Sequence, residues 1–444
     1  MGGMVPLFAA VFLLTSVPSA DADARKTLSR AAISPTDILL LSVDTLRADQ
    51  LAPWGGNPAV APAINELAAQ SIRFRDTLCD VSLTAPSFAA MFSGRPPLRH
   101  GLTRNATRLP DGIPLLAEAL SRADYHTAAV VGSWVLRAGL CGLDRGFAVY
   151  DDQMEQFRWG VILGERNAEQ VTDAALRHLK DRPASRPFFL WVHYIDPHAP
   201  YRRHAGCTPP RPRGPESRQD RALRFYRGEI TWMDRHIARL LRAIPDSAVV
   251  VFIADHGENL GEHGYYGHGR QLWQESLRIP LFFRIPGTPP ADVDAPAMAH
   301  DLAPTLLALA GLEPLPGSEG FDLLHGPPPP DRPRFIQAYS GAALHLPGLA
   351  HPPSHASPLL TGVIQGPWKM FATPRGSQAR LFQLRDDPEE RRNLISDRPA
   401  CLGRLESLVR AWLESARPPD TGPDADVPAL TPADRDALRA LGYL

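Results

Sequence analysis

The sequence predicts an α/β protein with a large, mostly parallel sheet sandwiched by helices, followed by a small C-terminal α+β subdomain. Two observations predict it. Near-continuous apolar runs, typical of strands buried on both faces of a parallel sheet, alternate with helical stretches over residues 35–325. Beyond a proline-rich segment at 326–333, residues 334–444 show short strand patterns, expected to be antiparallel, and one helix. We therefore expect a large domain at 35–325 and a subdomain at 334–444.

The elements alternate along the chain. Strand patterns occur at 37–43, 127–131, 188–194, 248–254 and 279–285. Helical stretches occur at 60–70, 85–93, 113–122, 168–180, 221–243 and 301–310. In the C-terminal part, strand patterns at 334–339, 361–365, 368–372 and 380–384 precede a helix at 401–415. Since ligands bind at the carboxyl ends of strands in such sheets, chemistry is expected where the apolar runs end.

The N-terminus resembles a secretory signal peptide. An apolar run at 5–17 is shorter than the about 20 residues that span a bilayer, and small residues with an A-x-A pattern at 20–22 follow it. We predict a signal peptide at 1–24 and an exported protein, periplasmic or secreted. An uncleaved N-terminal anchor and a fortuitous apolar start remain open. No later stretch is long and apolar enough to span a membrane.

Composition excludes several classes of protein. The formal net charge of −1 argues against a nucleic-acid-binding polycation, and the 44% apolar content argues against disorder. The four cysteines lack a C-x-x-C pair, which disfavours a zinc ribbon, and the sequence does not choose among their disulfide pairings. Only three residues are lysines: Lys26, Lys180 and Lys369.

Three aspartates follow apolar runs of the predicted sheet: Asp44, Asp196 and Asp255. Because the carboxyl ends of parallel strands meet at one edge, we expect these side chains to share one rim. Asp255 is followed by His256 in the glycine-rich stretch ADHGENLGEHGYYGHG, which also contains His268. Carboxylate and imidazole ligands at one edge predict a site for a divalent cation.

Thr84 precedes Pro86 and a helical run, so its side chain is expected to be either a helix N-cap or a nucleophile. The functional alternative uses the positive potential of a helix N-terminus, which stabilises an alkoxide and an anionic ester. A hydroxyl nucleophile also needs a metal ion or a base to activate it. A metal bound by Asp44, Asp255 and His256 would supply that activation.

The segment FFLWVHYIDPHAPY supplies His193 and His198. His193 lies inside the apolar run and is either a core histidine or a substrate-binding residue. Asp196 and His198 form an Asp-x-His pair after the run, a pattern that suits a cation or an anion held by histidine. We expect His198 and His268 to bind the anionic group of a substrate.

These motifs resemble those of the sulfatase family, within the alkaline phosphatase superfamily, over residues 35–444. DILLLSVDTLRADQLAPWG resembles the opening strand with its metal-binding aspartate, and TAPSFAAMFSGRPPLRHG the nucleophile signature. FLWVHYIDPHAPY and ADHGENLGEHG resemble the substrate-histidine and second metal segments, and LFQLRDDPEERRNL and LRALGYL the C-terminal subdomain. The resemblance implies an alkaline phosphatase-like fold and a metal-dependent hydrolase of an anionic ester.

The resemblance implies residue roles. The first ion would be bound by Asp44, Thr84, Asp255 and His256. Thr84, His198 and His268 would be catalytic. Asn105 resembles a phosphate-contacting asparagine, and we assign Asn105 and His193 to substrate binding. A second ion, as in two-metal relatives, would be held by Asp196, His198 and His268.

Two residues depart from the family pattern. Sulfatases oxidise a Cys or Ser to formylglycine, and Thr84 cannot become that aldehyde because its β-carbon carries a methyl group. The arginine of the signature is Phe88 here, which leaves open an inactive homologue or an apolar wall for a leaving group. Threonine is the nucleophile of phosphodiesterase and phosphoethanolamine-transferase relatives.

We therefore expect phosphoester or phosphonate ester hydrolysis or transfer with one or two zinc, calcium or manganese ions. A sulfuric ester hydrolase without formylglycine and an inactive binding protein are the alternatives. The expected partner is a small anionic ester, and no nucleic acid is expected.

Overall fold

The computed structural model describes residues 36–154, 165–340 and 357–415, and the backbone of two short strands at 157–158 and 161–162. Its centre is an eight-stranded sheet of β1 (Ile38–Val43), β2 (Ile72–Phe74), β3 (His126–Val131), β4 (Val149–Asp151), β5 (Phe188–Tyr194), β6 (Val249–Ala254), β7 (Leu281–Arg284) and β8 (Ala291–Val293). The order across the sheet is β8-β2-β7-β6-β1-β5-β3-β4.

The sheet is mostly parallel, as the apolar runs predict. β1 lies at its centre and pairs in parallel with β5 and β6, and β3 pairs in parallel with β4 and β5. All residues of β1, β5 and β6 are buried, which explains why their sequences are apolar without alternation. β7 runs antiparallel to β6 and β2. An apolar run specifies burial but not direction, so the sequence could not predict this reversal.

Two groups of helices flank the sheet. The longer helices of the large domain are α1 (Pro62–Ala69), α2 (Thr84–Ser93), α3 (Leu116–Arg122), α4 (Ala168–Asp181), α5 (Arg218–Leu241) and α6 (Leu302–Leu309). α1 and α4 pack against α5, whereas α2 and α3 pack against α6. The Asn167 and Ser217 side chains cap α4 and α5 by accepting N–H hydrogen bonds from the first turn.

A second, smaller sheet follows at the C-terminal side, as predicted. Its four antiparallel strands are β9 (Arg334–Ala338), β10 (Leu360–Gln365), β11 (Trp368–Ala372) and β12 (Arg380–Gln383). Helix α7 (Pro399–Ser415) packs on β10 and β11 and buries Leu405 and Val409. Lys369 of β11 is completely buried and forms an ion pair with Glu390 at 2.6 Å.

Some predictions fall outside the described residues. These are the signal peptide at 1–24 and the segment LRALGYL at 438–444, so export stays a prediction. All four cysteines are described, and none forms a disulfide. Among the residues described, every helix is too short or too polar to cross a membrane.

Candidate active site

Asp44 and Asp255 lie side by side at the carboxyl end of the sheet. β1 and β6 pair with Val43 opposite Ala254, so the next residue on each strand is an aspartate. Backbone hydrogen bonds hold this register, because the Asp255 N–H donates to the Val43 carbonyl at 3.2 Å and the Asp44 N–H to the Tyr194 carbonyl at 2.8 Å. The expectation that these two carboxylates share one rim is confirmed.

His193 joins the two carboxylates from β5, where it lies opposite Ser42 of β1. Its Nδ1 is 3.0 Å from the Ser42 hydroxyl oxygen, whose own proton points toward the Val192 carbonyl at 3.4 Å. The hydroxyl oxygen can therefore accept the Nδ1–H, which leaves the Nε2 lone pair 3.6 Å from Asp44 Oδ2. Its Nε2 therefore faces the two carboxylates as a metal ligand would, and the predicted substrate contact of His193 stays a prediction.

The residues at this rim fit a divalent cation. Asp44, His193 and Asp255 offer ligand atoms that lie within 4.8 Å of one another. Asp255 Oδ1 accepts the Thr45 and His256 N–H groups at 3.1 and 2.7 Å. In contrast, Asp255 Oδ2, Asp44 Oδ1 and His193 Nε2 are buried and have no hydrogen-bond partner among the described residues. Unsatisfied buried oxygen and nitrogen atoms that face one another are the donor set of such an ion.

The electrostatics of the rim agree with that fit. Burial raises the pKa of Asp44 and of Asp255 well above the usual carboxyl range, and the Asp44 charge raises the pKa of Asp255 further. Burial also lowers the pKa of His193 to about 4, so its ring is neutral at pH 7 and can act as a ligand. Two carboxylates without a cation would repel each other here, and a bound cation would remove that repulsion.

Thr84 faces the rim from the start of α2. The N-cap prediction is wrong, because Leu83 has the extended backbone of the N-cap and Thr84 is the first helical residue. Its hydroxyl oxygen is completely buried and lies 3.4 Å from Asp44 Oδ2 and 3.4 Å from His256 Nε2. Both separations exceed the roughly 2.7 Å of a relaxed O–H hydrogen bond to oxygen. The hydroxyl is therefore directed at the rim and is held only loosely.

Asn105 explains why the Thr84 hydroxyl is not used for capping. Its Oδ1 accepts the Ala85 N–H at 2.9 Å, so a side chain from another segment satisfies the first turn of α2. Its Nδ2 is buried and has no hydrogen-bond partner among the described residues. The predicted substrate-binding residue thus lies beside the helix start, with an amide donor left to bind an ester oxygen.

His256 presents its Nε2 to the same carboxylates. Its Nδ1 is 3.0 Å from the Gly257 carbonyl, so Nδ1–H donates there and the Nε2 lone pair faces Asp44 Oδ1 at 3.9 Å and Asp255 Oδ2 at 3.5 Å. Burial lowers the pKa of His256 to about 3. Gly257 is required at its position, because a Cβ would lie 2.1 Å from the Glu275 carbonyl oxygen. His256 is not in the group of described residues whose ligand atoms all lie within 4.8 Å, so its predicted role as a ligand together with Asp44, Thr84 and Asp255 stays a prediction.

His198 and His268 form a pair above the rim. His198 Nδ1 donates to the Ala199 carbonyl at 2.6 Å and His268 Nδ1 to the Ser82 carbonyl at 3.0 Å. Their Nε2 atoms are 3.2 Å apart, so the pair can share one proton or contact an anion together. Burial lowers the pKa of each ring to about 3, with a further contribution from His268 on His198 and from His256 on His268. The structure thus brings together the two residues predicted to bind the substrate anion.

The predicted second metal site of Asp196, His198 and His268 stays a prediction. These residues are not among the groups of the described chain whose ligand atoms all lie within 4.8 Å of one another. Asp196 Oδ1 accepts the Ala168 N–H at 2.9 Å at the start of α4, and its Oδ2 is buried without a hydrogen-bond partner in the described structure. Burial raises the pKa of Asp196 to about 7. Its strand-end position alone could not distinguish a ligand from a residue that caps a neighbouring helix.

Phe88 does not form a wall for a leaving group, since it is completely buried. Its ring centroid lies 4.8 Å from that of Trp191 and 4.9 Å from that of His193, the latter in an edge-on arrangement. Phe88 therefore packs against the His193 ring and restricts its orientation.

Two acidic residues near the site had no role in the sequence-based prediction. Glu258 is buried and accepts a hydrogen bond from the Tyr201 hydroxyl, and burial raises its pKa to about 8. Burial likewise raises the pKa of Glu165 to about 7, and the Glu165 charge contributes to the raised pKa of Asp44. The sequence places Glu258 near the site only through its separation of two residues from His256.

A cavity of about 550 Å³ leads to the histidine pair. His198, His268 and Glu258 contribute to its lining together with tyrosine side chains. The structure therefore brings a candidate cation site, a threonine hydroxyl and a helix N-terminus close to two imidazoles that line a cavity. Such a set can carry out nucleophilic displacement on a tetrahedral anionic ester.

Comparisons with known proteins identify the family and the fold. The Sulfatase family model matches residues 36–312. The choline-sulfatase of Rhizobium meliloti is 25% identical over 436 residues, which cover 81% of this chain and 82% of that protein.

Among solved structures, BT4656, in complex with its substrate D-glucosamine-2-N,6-O-disulfate, superposes with a TM-score of 0.69 at 19% identity. That match covers 88% of this chain and all of the other. The phosphonate monoester hydrolase SpPMH of Silicibacter pomeroyi has a TM-score of 0.67 at 21% identity, covering 89% and 98% of the two chains. At this identity the structural matches establish the fold alone.

Proposed function

The chain belongs to the sulfatase family, and we propose that it cleaves a small anionic ester, preferentially a phosphoester or phosphonate ester, with Thr84 as nucleophile. The observation that supports this proposal is the Thr84 hydroxyl, buried 3.4 Å from both Asp44 and His256. Threonine has no route to formylglycine, so the hydroxyl itself is the group available for attack. The phosphonate monoester hydrolase among the structural neighbours shows that the same fold serves a phosphorus ester.

The rim would hold the divalent cation through Asp44, His193, Asp255 and His256. When bound, it supplies a Lewis acid for the ester and lowers the pKa of a nearby hydroxyl. The Thr84 oxygen then forms a bond to phosphorus as the bond from phosphorus to the leaving oxygen breaks, giving a phosphothreonine. The Thr84 proton passes to Asp44 Oδ2, 3.4 Å away, because the Nε2 lone pair of His256 would be used by the cation. Water, or an acceptor alcohol, releases the phosphoryl group in a second displacement.

The remaining side chains bind the ester and protonate its leaving group. The His198–His268 pair holds one proton between its Nε2 atoms when the anionic ester approaches, and it donates that proton to the leaving oxygen. The Asn105 Nδ2–H₂ group donates to an ester oxygen beside the N-terminus of α2. These donors are aimed at the oxygens on which negative charge increases in the transition state.

A second candidate is a sulfuric ester hydrolase that uses Thr84 without formylglycine. The choline-sulfatase relative favours it, since the match extends over most of both chains. An inactive binding protein, suggested by Thr84 and Phe88 together, is the third candidate.

The test is a panel of 4-nitrophenyl esters: a phosphate monoester, a phosphate diester, a phosphonate monoester and a sulfate. Each is assayed with zinc, manganese or calcium for the wild type, Thr84→Ala and Thr84→Ser. We expect phosphorus esters to be preferred, Thr84→Ala to lose turnover and Thr84→Ser to retain part of it. Mass spectrometry of acid-quenched protein should detect a phosphoryl group on the peptide that contains Thr84.

The outcomes separate the candidates. Turnover by Thr84→Ala at the wild-type rate would exclude Thr84 as the nucleophile. A sulfate-only profile would favour the second candidate, and bound metal without turnover of any ester would favour the inactive protein.

A further inference from the structure

The cavity beside the histidine pair has an aromatic wall. Leu83, Tyr201, Tyr265 and Tyr266 are among the residues that line it. A leaving group attached to an ester held by His198 and His268 would extend into this space, so the lining bears on the identity of the leaving group.

The polar ends of two of these tyrosines are already occupied. The Tyr201 hydroxyl donates to Glu258 Oε2, and the Tyr265 hydroxyl donates to the His268 carbonyl at 2.7 Å. Their rings therefore offer apolar surface to a ligand rather than hydroxyl donors. Such a wall suits an aromatic ring better than a sugar, whose hydroxyls would lose hydrogen bonds to water without replacement.

Two cations complete the lining, Arg218 at the start of α5 and Arg270 directly after the glycine-rich loop. Both side chains belong to exposed residues, and neither forms an ion pair with a carboxylate in the part of the chain that the structure describes. The Arg218 guanidinium lies over the Tyr266 ring at 4.2 Å from its centroid, which holds it at the wall. The acidic residue of the lining, Glu258, is buried and accepts a hydrogen bond from the Tyr201 hydroxyl, and no ion pair joins it to either arginine in the described structure.

We infer that this cavity selects an aromatic leaving group that carries a second anionic group, such as a carboxylate, and that Arg218 and Arg270 bind that group. The inference rests on the proposed function, because it names the leaving group of the same reaction. An anionic substituent on the ring would form charge-assisted hydrogen bonds with guanidinium groups that lack a carboxylate partner in the described structure. The ring itself would lie against the tyrosine wall.

The experiment compares two esters that differ in one charge. The preferred head group from the ester panel is attached to 4-hydroxybenzoate or to 4-hydroxybenzamide, and kcat/KM is measured for each. We expect the carboxylate ester to be preferred about tenfold, a difference of roughly 1.4 kcal/mol. The preference should disappear in the Arg218→Gln/Arg270→Gln double variant. Arg221→Gln is the matched control, because Arg221 is an exposed arginine of α5 outside the cavity lining and should leave the preference unchanged.

Binding of the two free phenols to the wild type, measured by calorimetry, gives a second readout that needs no turnover. Equal kcat/KM for the two esters, or a preference that survives in the double variant, would overturn the inference while leaving the proposed function intact. If neither ester is hydrolysed, the proposed function fails. Tighter binding of 4-hydroxybenzoate would then still support the anion site, and equal binding of the two phenols would overturn it.

Discussion

Replacing Asp44 by asparagine should separate the stability of the metal-free protein from its response to metal. Asp44 Oδ1 and Asp255 Oδ2 are buried and unpartnered in the described structure, so the metal-free protein contains two uncompensated carboxylates at one rim. Asparagine is neutral and nearly isosteric. We therefore expect Asp44→Asn to unfold at the same or a higher temperature than the wild type in chelator, and to lose most of the stabilisation by metal.

The expected rise in Tm on metal binding can be calculated from the free energy that a bound cation adds to the folded state. A cation at 100 times its dissociation constant stabilises the folded state by about 2.7 kcal/mol. At roughly 2.1 cal/mol/K of unfolding entropy per residue, a chain of 444 residues should show a rise in Tm of about 3 °C. Differential scanning fluorimetry of chelated protein with added zinc, manganese or calcium measures this rise. Asp234→Asn is the control, because Asp234 is also a buried carboxylate but caps α1 through the Ala63 and Ile64 N–H groups.

The pH dependence of Tm tests whether Asp44 destabilises the metal-free protein when it is charged. The folded-state pKa of Asp44 is raised, so its protonated form stabilises the metal-free protein at low pH, and this contribution is lost as pH rises through the folded-state pKa. The Tm difference between Asp44→Asn and the wild type in chelator should therefore increase in favour of the variant with rising pH. A metal-induced rise of equal size in Asp44→Asn and the wild type would refute the assignment of the rim as a cation site.

Three further predictions follow from the same geometry. His268→Gln should lower kcat by about 100-fold or more for esters of poor leaving groups and much less for 4-nitrophenyl esters, because His268 belongs to the pair proposed to protonate the leaving oxygen. Steady-state kinetics with a series of esters that differ in the pKa of the leaving group measures this difference. Phe88→Ala should lower the free energy of unfolding by about 3–5 kcal/mol in urea titrations, because it empties a completely buried position against Trp191; a loss below 1 kcal/mol would contradict that packing. Gly257→Ala should reduce kcat/KM more than it lowers Tm, because the added Cβ of the alanine would displace the loop next to His256. Full activity of the variant would show that the loop can shift.

The sheet and the position of its rim could be predicted because burial on both faces leaves an apolar sequence without alternation. Asp44 and Asp255 follow such runs directly, and parallel pairing with Val43 opposite Ala254 brings them together. Thr84 and His256 were found for a related reason, since a helix start and a strand end mark the chain positions that can face this edge.

Other parts of the site depend on contacts that the sequence does not encode locally. Asp196 also follows a buried strand, yet its carboxylate accepts the Ala168 N–H of α4. His193 has the sequence environment of a core histidine, and only its register opposite Ser42 places its Nε2 beside Asp44. Thr84 matched the pattern of an N-cap because the competing cap, Asn105, comes from a separate segment of the chain. In each case, a long-range partner decided between two local interpretations.

The loss of the signature arginine at Phe88 determines where positive charge at the site must originate. Phe88 is completely buried and packs against the neutral His193 ring, so nothing at this position offsets the charge of Asp44. The chain as a whole has a net charge of −1, and among its lysines Lys369 is paired with Glu390 in the second sheet. The imidazoles near the rim have lowered pKa values and are neutral until an anion binds. A cation held by Asp44, His193 and Asp255 would supply the positive potential that an anionic ester needs at the rim. If the proposed function holds, we expect chelation to weaken binding of the ester as well as turnover, as measured by calorimetry and by steady-state kinetics.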